Sequence, residues 1–315
     1  MRAIVVTRSG GPEVLELQDV SAPEPGPGDL LVDVAFAGVN FRDIYERRGG
    51  YGPPPPVIAG IEGTGGVVAL GEGVSEATVG DRVAWNNAQG SYAEQVVVPA
   101  ARSVPVPDDI TDELACAALL QGMTAHYLTH ATYPVQPGDE VLVHAGAGGA
   151  GRLVIQMAKA FGGRVTATTS GGEKADLARS AGADEVIGYD EVPERRFEVV
   201  YDGVGAATFD RSLSALRPRG MLVLYGAASG SVPPFDLSRL AGGGSLFVTR
   251  PTLGNYVATR EELLRRAGDV YGWLAEGSLD VRIGATYPLE KARQAQEDLE
   301  SRRTTGKLLL AVQPR

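Results

Sequence analysis

Glycines spaced to hold a phosphate group are the first chemical feature of this chain. Residues 141–151 read VLVHAGAGGAG, in which Gly146, Gly148 and Gly151 form a G-x-G-x-x-G pattern, and an amphipathic stretch follows. The first glycine makes a tight turn, the second lets a pyrophosphate approach the backbone, and the third lets the helix pack on the strand. Because the chain contains 42 glycines, an ordinary glycine-rich turn is the alternative. The preceding valine-rich strand favours a dinucleotide site with four cofactor-binding glycines, Gly146, Gly148, Gly149 and Gly151.

The residues about twenty positions after these glycines indicate which nucleotide binds. An NAD site usually has Asp or Glu there, at the end of the second strand, to accept the ribose hydroxyls. This chain instead has TTSGG at 168–172, followed by Lys174, and Glu173 comes too late for the usual ribose position. Small groups and a cation suit a 2′-phosphate, so we expect NADPH in preference to NADH, bound by Ser170, Gly171 and Lys174. A solvated lysine in the first turn of a helix is the alternative for Lys174.

Histidine and cysteine positions give little indication of a metal site. His126 and His130 lie four positions apart on a predicted helix, which places both imidazoles on one face. They lack the glutamate of an H-E-x-x-H motif and an evident third ligand, so we expect packed histidines. His144 ends the first strand of the dinucleotide region, where we expect a core or turn histidine, with general acid catalysis as the alternative. Cys116 is the only cysteine, which excludes an intrachain disulfide.

Alternating strand and helix signals surround and follow the glycine motif. Strand-like runs GRVTATT, DEVIGY, FEVVYDGVG, GMLVLYGA and GSLFVTR alternate with a helix at 173–181 and another that ends at Leu216. This alternation predicts an α/β region with a doubly wound parallel sheet, the Rossmann architecture.

The chain before residue 115 has a different pattern. Short alternating strands such as AIVVT, LLVDVAFAGV, GTGGVVALG, DRVAWN and YAEQVVVP are separated by Pro/Gly turns, which predicts a mainly β domain. A helix over 114–129 is expected to lead into the dinucleotide region. After about residue 255, two helical stretches and the strand KLLLAVQP are expected to rejoin the first domain. A chain of 315 residues is long enough for two domains.

Composition narrows the class of partner and the cellular location. The formal net charge is −10 and no run of Lys or Arg occurs, which argues against a nucleic-acid partner. No apolar stretch approaches the roughly 20 residues that span a bilayer, and the N-terminus has the pattern of a strand and turn. We therefore expect a cytoplasmic protein without a membrane partner.

The order of motifs along the whole chain resembles one protein family. The sequence contains GGPEVL, PEPGPGDLLVDVAFAGVNFRD, GIEGTGGVVALGEGV, VGDRV, VHAGAGGAG, YDGVG and TGKLLL, and also NFRDIYERRGGYGPP and LFVTRP. Together they resemble the zinc-independent medium-chain dehydrogenases/reductases, most of all the quinone oxidoreductase (zeta-crystallin) branch. The resemblance implies a GroES-like substrate domain from residues 1–120 and 256–315 and a Rossmann NADPH-binding domain over 121–255. It also implies an active site in the cleft between them and a homodimer.

The resemblance allows metal binding to be judged position by position. Zinc-dependent members of the superfamily have a Cys where this chain has Asn40, and a His-Glu pair where it has Ile61 and Glu62. A catalytic zinc needs about three Cys, His or carboxylate ligands, and the amide and the aliphatic side chain remove two of them. We therefore expect an enzyme that works without a metal.

The resemblance also implies which residues act in catalysis and cofactor binding. Asn40 would donate an amide hydrogen to a carbonyl or to nicotinamide, Tyr45 and Tyr51 offer hydroxyls on rings that can stack, and Arg250 brings positive charge. Asp43 would orient a neighbour. The alternatives are core packing for Tyr45, a loop position for Tyr51 and an interface ion pair for Arg250. The further cofactor contacts implied are Asn40, Gln121 (where a lysine often stands), Thr124, Tyr189, Tyr225, Gly226, Ser229 and Lys307.

These expectations together indicate a reductase of electron-poor acceptors. A quinone takes a hydride readily, so it needs no Lewis acid, whereas an unactivated ketone does. We expect an NADPH-dependent quinone oxidoreductase. An enone or alkenal reductase is the alternative within enzymes, and a low-turnover NADPH-binding protein with a structural or RNA-binding role is the alternative outside them.

Overall fold

A computed structural model describes residues 1–50 and 52–313 and divides the chain into two compact units. Unit 1 consists of Met1–Leu120 and the chain from Thr259 onward, and unit 2 consists of Gln121–Ala258. The strands are β1 (Arg2–Val6), β2 (Leu15–Asp19), β3 (Asp29–Val39), β4 (Val57–Ile58), β5 (Gly63–Leu70), β6 (Arg82–Trp85), β7 (Gln95–Pro99), β8 (Val104–Pro105), β9 (Glu140–Val143), β10 (Arg164–Thr168), β11 (Glu185–Ile187), β12 (Phe197–Asp202), β13 (Leu216–Leu224), β14 (Phe247–Thr249), β15 (Ile283–Pro288) and β16 (Lys307–Ala311). The helices are α1 (Phe41–Arg47), α2 (Asp112–Tyr127), α3 (Gly149–Ala160), α4 (Glu173–Ser180), α5 (Phe209–Ala215), α6 (Ser238–Gly242), α7 (Leu253–Tyr256), α8 (Arg260–Ala275) and α9 (Ala292–Glu300).

Unit 1 is built around the long strand β3. Its sequence is DLLVDVAFAGV, and buried and half-buried side chains alternate in its first half, where Leu30, Val32 and Val34 are fully buried. The main sheet has the order β15-β16-β3-β5-β6-β8, with β7 also pairing with β3, and a second sheet has the order β2-β1-β4. The predicted mainly β domain is therefore present, and the last strand of the chain is part of it.

The register of the main sheet brings distant polar residues to the end of β3. β16 runs antiparallel to β3 with Leu308 opposite Val39, so Lys307 lies just beyond the last residue of β3. β5 begins at Gly63, which is opposite Ala37. Asn40, which follows β3, and Glu62, which precedes β5, therefore lie close to Lys307.

Unit 2 contains the predicted doubly wound parallel sheet. Its six strands have the order β11-β10-β9-β12-β13-β14, and all neighbours run parallel. Counted from β9, this is the Rossmann order 3-2-1-4-5-6, in which ligands bind at the carboxyl ends of the strands where the order reverses. The reversal lies between β9 and β12. Buried strands rich in valine and leucine, such as EVLV in β9, are typical of a sheet covered on both faces.

Some elements differ from the sequence-based expectation. The helix predicted over 114–129 is α2, which ends at Tyr127 and continues as one wide π-type turn over Leu128–Thr132. Strand β2 is not among the predicted strands. It reads LELQD, in which leucine alternates with polar residues, but it is largely exposed and Leu17 is 44% exposed, so the alternation does not mark a buried face. None of the helices in the described part of the chain has the length and apolar character needed to cross a membrane.

Candidate functional site

The G-x-G-x-x-G turn of unit 2 has no room for a side chain at its first and third glycines. The Gly146 amide donates a hydrogen bond to the Thr168 carbonyl at 3.0 Å, which fixes the turn against the end of β10. A Cβ atom on Gly146 would lie 2.8 Å from the Ala167 Cβ, and one on Gly151 would lie 2.4 Å from the Ala145 carbonyl oxygen. These two glycines are therefore required for the turn to approach β10 and for α3 to pack on it.

The start of α3 offers a cradle for an anionic group. Gly148 is the extended residue before the helix, and the first amides of α3 have no carbonyl partner within the helix. Such amides, together with the helix dipole, bind phosphate. The Gln121 side chain lies against the same turn, because a Cβ on Gly149 would be 2.0 Å from Gln121 Oε1. This oxygen is buried and accepts no hydrogen bond from any described residue, so a bound group with a donor would satisfy it.

The end of β10 leads into an exposed glycine loop. Thr168 and Thr169 are buried, whereas residues 170–172 are exposed, and Gly171 and Gly172 have φ values of +83° and +59°. Helix α4 begins directly afterwards and carries the half-buried Lys174 in its first turn. No carboxylate occurs from Thr168 to Gly172, and the first one, Glu173, comes only at the start of α4, so small residues occupy the end of β10 and Lys174 can contribute a cation for a phosphate.

A buried polar network lies beneath this edge of the sheet. His144 is fully buried; its Nδ1 is 2.8 Å from Thr168 Oγ1 and its Nε2 is 3.0 Å from Ser212 Oγ. Ser212 donates its hydroxyl hydrogen to Asp202 Oδ2 at 2.8 Å. The Asp202 carboxylate also accepts from the Thr208 hydroxyl and from two backbone amides. Burial lowers the pKa of His144, and the nearby Asp202 carboxylate acts against this shift.

The loop after β13 is held by backbone hydrogen bonds. The amides of Tyr225 and Gly226 both donate to the Asp202 carbonyl, and the Ser229 hydroxyl donates to the Val204 carbonyl at 2.7 Å. Arg250 donates from one guanidinium nitrogen to the carbonyls of Leu224 and Gly226, at 2.9 and 3.3 Å. The hydrogen bonds of Arg250 therefore stabilise this loop, a role that the sequence did not indicate.

A second polar cluster lies in unit 1 and is formed by Asn40, Glu62 and Lys307. The Lys307 ammonium donates to Glu62 Oε2 at 2.5 Å and to Asn40 Oδ1 at 2.8 Å. Asn40 Nδ2 donates to Glu62 Oε2 at 2.9 Å and to the Gly38 carbonyl at 3.2 Å. Both amide hydrogens of Asn40 are thus used inside unit 1, so donation to a substrate would require one of these bonds to be exchanged.

The ion pair changes the interpretation of two predicted residues. Lys307, which the family resemblance implied as a cofactor contact, is fully buried and is bonded to Glu62 instead. Glu62, the one zinc-type ligand retained in this chain, has its second oxygen bonded to the Leu120 amide at 3.0 Å. Its carboxylate is therefore neutralised by an internal cation. Among residues 1–50 and 52–313, no group of three or more His, Cys, Asp or Glu side chains could hold a metal ion.

Asp43 completes the polar surroundings of Asn40. Its Oδ2 accepts hydrogen bonds from the Tyr92 hydroxyl and from the backbone amide of Asn40, both at 2.8 Å, and the second of these caps the start of α1. Burial of this carboxyl raises its pKa to about 7, and the Tyr92 hydrogen bond opposes the shift only in part. The prediction that Asp43 orients a neighbour agrees with these bonds.

The two tyrosines predicted beside Asn40 differ in how far the structure describes them. Tyr45 is half-buried on α1, and its ring lies 6.4 Å from that of Phe41, so it is not a fully buried core residue. Tyr51 lies outside the described residues.

Thr124, predicted as a cofactor contact, is half-buried on α2 one turn after Gln121, and Tyr189 is half-buried in the turn after β11.

Two family models match parts of the chain. The model described as the alcohol dehydrogenase GroES-like domain matches residues 26–108, which confirms the expected GroES-like character of the β domain. The model described as zinc-binding dehydrogenase matches residues 181–310.

Curated proteins and solved structures match nearly the whole chain. The quinone oxidoreductase of Pseudomonas aeruginosa is 42% identical over 314 residues, which covers 96% of each protein. The 2-haloacrylate reductase of a Burkholderia species is 37% identical over 329 residues, which covers 99% of each. A mycobacterial protein solved with NADPH has a TM-score of 0.96 at 45% identity, covering 99% of this chain and 100% of that one. The Escherichia coli quinone oxidoreductase solved with NADPH has a TM-score of 0.96 at 37% identity, with the same coverage.

Proposed function

This chain belongs to the quinone oxidoreductase family of the medium-chain dehydrogenases/reductases, and from that premise we propose that it transfers reducing equivalents from NADPH to a quinone. The observation that carries the proposal is the loop from Thr168 to Lys174, which follows the glycine turn. It presents exposed small residues and a lysine where an NAD site would present a carboxylate.

We propose that unit 2 binds the cofactor through the groups already described at the carboxyl edge of its sheet. The α3 amides would bind the pyrophosphate, and Gln121 Oε1 would accept a hydrogen bond from the nicotinamide half. Ser170, Gly171 and Lys174 would bind the 2′-phosphate, and bound NADPH supplies the hydride. Further contacts are proposed for Thr124, Tyr189, Tyr225, Gly226 and Ser229.

The proposed chemistry needs hydrogen-bond donors and no metal. Asn40 and Ile61 replace two zinc ligands, and the Lys307 ammonium pairs with the third position, Glu62. Negative charge that develops on the acceptor oxygen would be stabilised by tyrosine hydroxyls, for which we propose Tyr45 and Tyr51. Asn40 would position this region through its bonds to Glu62 and to Lys307. Arg250 would contribute by holding the loop at Gly226.

An enone or alkenal reductase is the second candidate, because the 2-haloacrylate reductase relative is named for a conjugated substrate. Purified protein should be assayed for NADPH oxidation with naphthoquinone and with cyclohexenone, and NADH should replace NADPH as the control. We expect the larger kcat/KM with naphthoquinone and NADPH. A larger value with cyclohexenone would favour the second candidate, and NADPH binding without turnover on either acceptor would contradict both.

We also propose a cytoplasmic homodimer. β14 pairs only with β13 among the described strands, and Phe247 on β14 is 55% exposed, so this edge can pair with a second copy. The single cysteine is compatible with a reducing compartment. Sedimentation analysis should give a dimer that Phe247→Lys weakens, whereas Val79→Lys, at a site that is 62% exposed in unit 1, should leave it intact. A monomeric wild-type protein would refute the proposal.

A further inference from the structure

Taking NADPH as the cofactor proposed above, we propose that His144 is a positioning residue that sets the preference for a 2′-phosphate, acting through Tyr189 and the end of β10. His144 follows β9 directly and lies at the point where the strand order reverses. None of its side chain is exposed, so it acts on a bound nucleotide through its neighbours.

His144 contacts three other elements of unit 2, two through its imidazole and one through its backbone amide. Its Nδ1 contacts the hydroxyl of Thr168, the last residue of β10, and its Nε2 contacts Ser212 on α5. Its backbone amide donates to the Tyr201 carbonyl on β12 at 3.0 Å. Two residues after Thr168, the chain enters the exposed loop that leads to Lys174. A shift at Thr168 would therefore be passed on to the loop that holds the proposed phosphate ligands.

The hydrogen bonds of the network have one consistent direction. Asp202 is a carboxylate that accepts from Ser212, so the only hydroxyl hydrogen of Ser212 points away from His144. His144 Nε2 must then be the donor to Ser212 Oγ, and Nδ1 must accept from Thr168. The imidazole is neutral with its proton on Nε2. Both nitrogens are used, so the ring is fixed in orientation and its one N–H proton is donated to Ser212.

The face of this fixed ring lies against Tyr189. The two ring centroids are 5.8 Å apart and the planes differ by 13°, an offset stacked arrangement. Tyr189 begins the turn after β11, the strand beside β10, and is half-buried. His144 thus supports the ring of Tyr189, a proposed cofactor contact, and fixes the strand that leads to the proposed phosphate ligands Ser170, Gly171 and Lys174. Its loss would displace these groups from the 2′-phosphate and would leave the α3 phosphate cradle unchanged.

Binding of nucleotide fragments to the full chain tests this assignment without catalysis. The affinities for 2′,5′-ADP and 5′-ADP, which differ only in the 2′-phosphate, should be measured by calorimetry. His144→Leu should weaken 2′,5′-ADP about tenfold, the loss expected when one charge-assisted contact is misplaced, and should change 5′-ADP less than about twofold. His144→Phe keeps an aromatic face for Tyr189 and should recover part of the preference.

Further variants separate positioning from general destabilisation. Tyr201→Phe removes another buried hydroxyl of the same sheet, bonded to the carbonyls of Leu128 and Tyr133, and should leave the affinity ratio unchanged. In a Tyr189→Ala background, His144→Leu should change the ratio much less than it does in the wild type. If His144→Leu does not fold, Ser212→Ala should give a smaller loss of 2′,5′-ADP in the same direction.

Three outcomes would overturn the assignment, and they separate a failure of the His144 role from a failure of the NADPH proposal. Equal weakening of both fragments by the His144 and Ser212 variants, or full additivity with Tyr189→Ala, would mean that His144 serves only the fold. In that case the NADPH proposal stands. A wild-type protein that binds both fragments equally would refute the NADPH preference itself, and with it the role of His144.

Discussion

Removing the buried ammonium of Lys307 should cost unit 1 a large part of its stability. Lys307 and Glu62 are both fully buried, and Lys307→Met removes the charge while keeping a side chain of similar length. Glu62 would keep only the hydrogen bonds from Asn40 and from the Leu120 amide. Breaking a buried ion pair by removing one partner costs about 3–5 kcal/mol, because the remaining charge stays desolvated. We expect the free energy of unfolding to fall by about that amount.

The variant Lys307→Met/Glu62→Gln is the matched control. It contains no uncompensated charge, so it should be within about 1–2 kcal/mol of the wild type, although it carries two substitutions. Glu62→Gln alone leaves the ammonium buried without a carboxylate and should lose about as much as Lys307→Met. The four proteins form a double-mutant cycle whose interaction energy measures the coupling of the pair.

Urea unfolding followed by tryptophan fluorescence suits this experiment. The only two tryptophans, Trp85 and Trp273, both belong to unit 1, so the signal reports the unit that contains the substitution. If Lys307→Met lowers the free energy of unfolding by less than about 1 kcal/mol, the reasoning is refuted, because burying an unpaired carboxylate costs more than that. A double variant as unstable as the sum of the single variants would refute it as well.

Three further predictions concern the cofactor, a buried carboxyl and metal dependence. Lys174→Glu should weaken NADPH binding by about 1–3 kcal/mol and NADH binding much less, measured as dissociation constants; equal losses would contradict the phosphate assignment. Because the pKa of Asp43 is raised to about 7, its proton is released at lower pH in the unfolded chain, so this group lowers stability as pH rises from about 4 to 7. In Asp43→Asn, the free energy of unfolding measured with urea should fall by up to about 4 kcal/mol less over this pH range than in the wild type. If the fall is unchanged, Asp43 is not its source. Quinone reduction should survive exhaustive chelation, and loss of activity together with stoichiometric zinc would overturn the metal-free proposal.

The Rossmann sheet could be predicted from sequence because its signals are local. A valine-rich strand, the Gly146 turn and an amphipathic helix follow one another without interruption, and their order alone implies the parallel sheet. The absence of a carboxylate between Thr168 and Gly172 is likewise a property of a single stretch. The position of a side chain at a strand end can therefore be predicted without knowing which distant strands pair.

The polar clusters could not be predicted, because they depend on register between distant strands. Lys307 meets Glu62 only because β16 pairs with β3 next to the start of β5, and a tyrosine such as Tyr92 carries no sequence signal that it bonds to Asp43. Arg250 had the charge expected of a catalytic group, but its bond to the Leu224 carbonyl depends on the pairing of β14 with β13, in which Thr249 lies opposite Val223. A buried lysine in TGKLLL is a signal that could have been noticed, since lysine within an apolar strand needs a partner.

The interrupted path of unit 1 has a consequence for how the protein is made. Glu62 and its cation are separated by 245 positions, and the whole of unit 2 is translated between them. At about 5–20 residues per second, the ribosome needs roughly 12–50 s to deliver Lys307 after Glu62 has emerged. Unit 2 is contiguous and can complete its sheet during that interval. Unit 1 therefore cannot form the buried pair of Glu62 and Lys307 until β16 has been translated and has paired with β3.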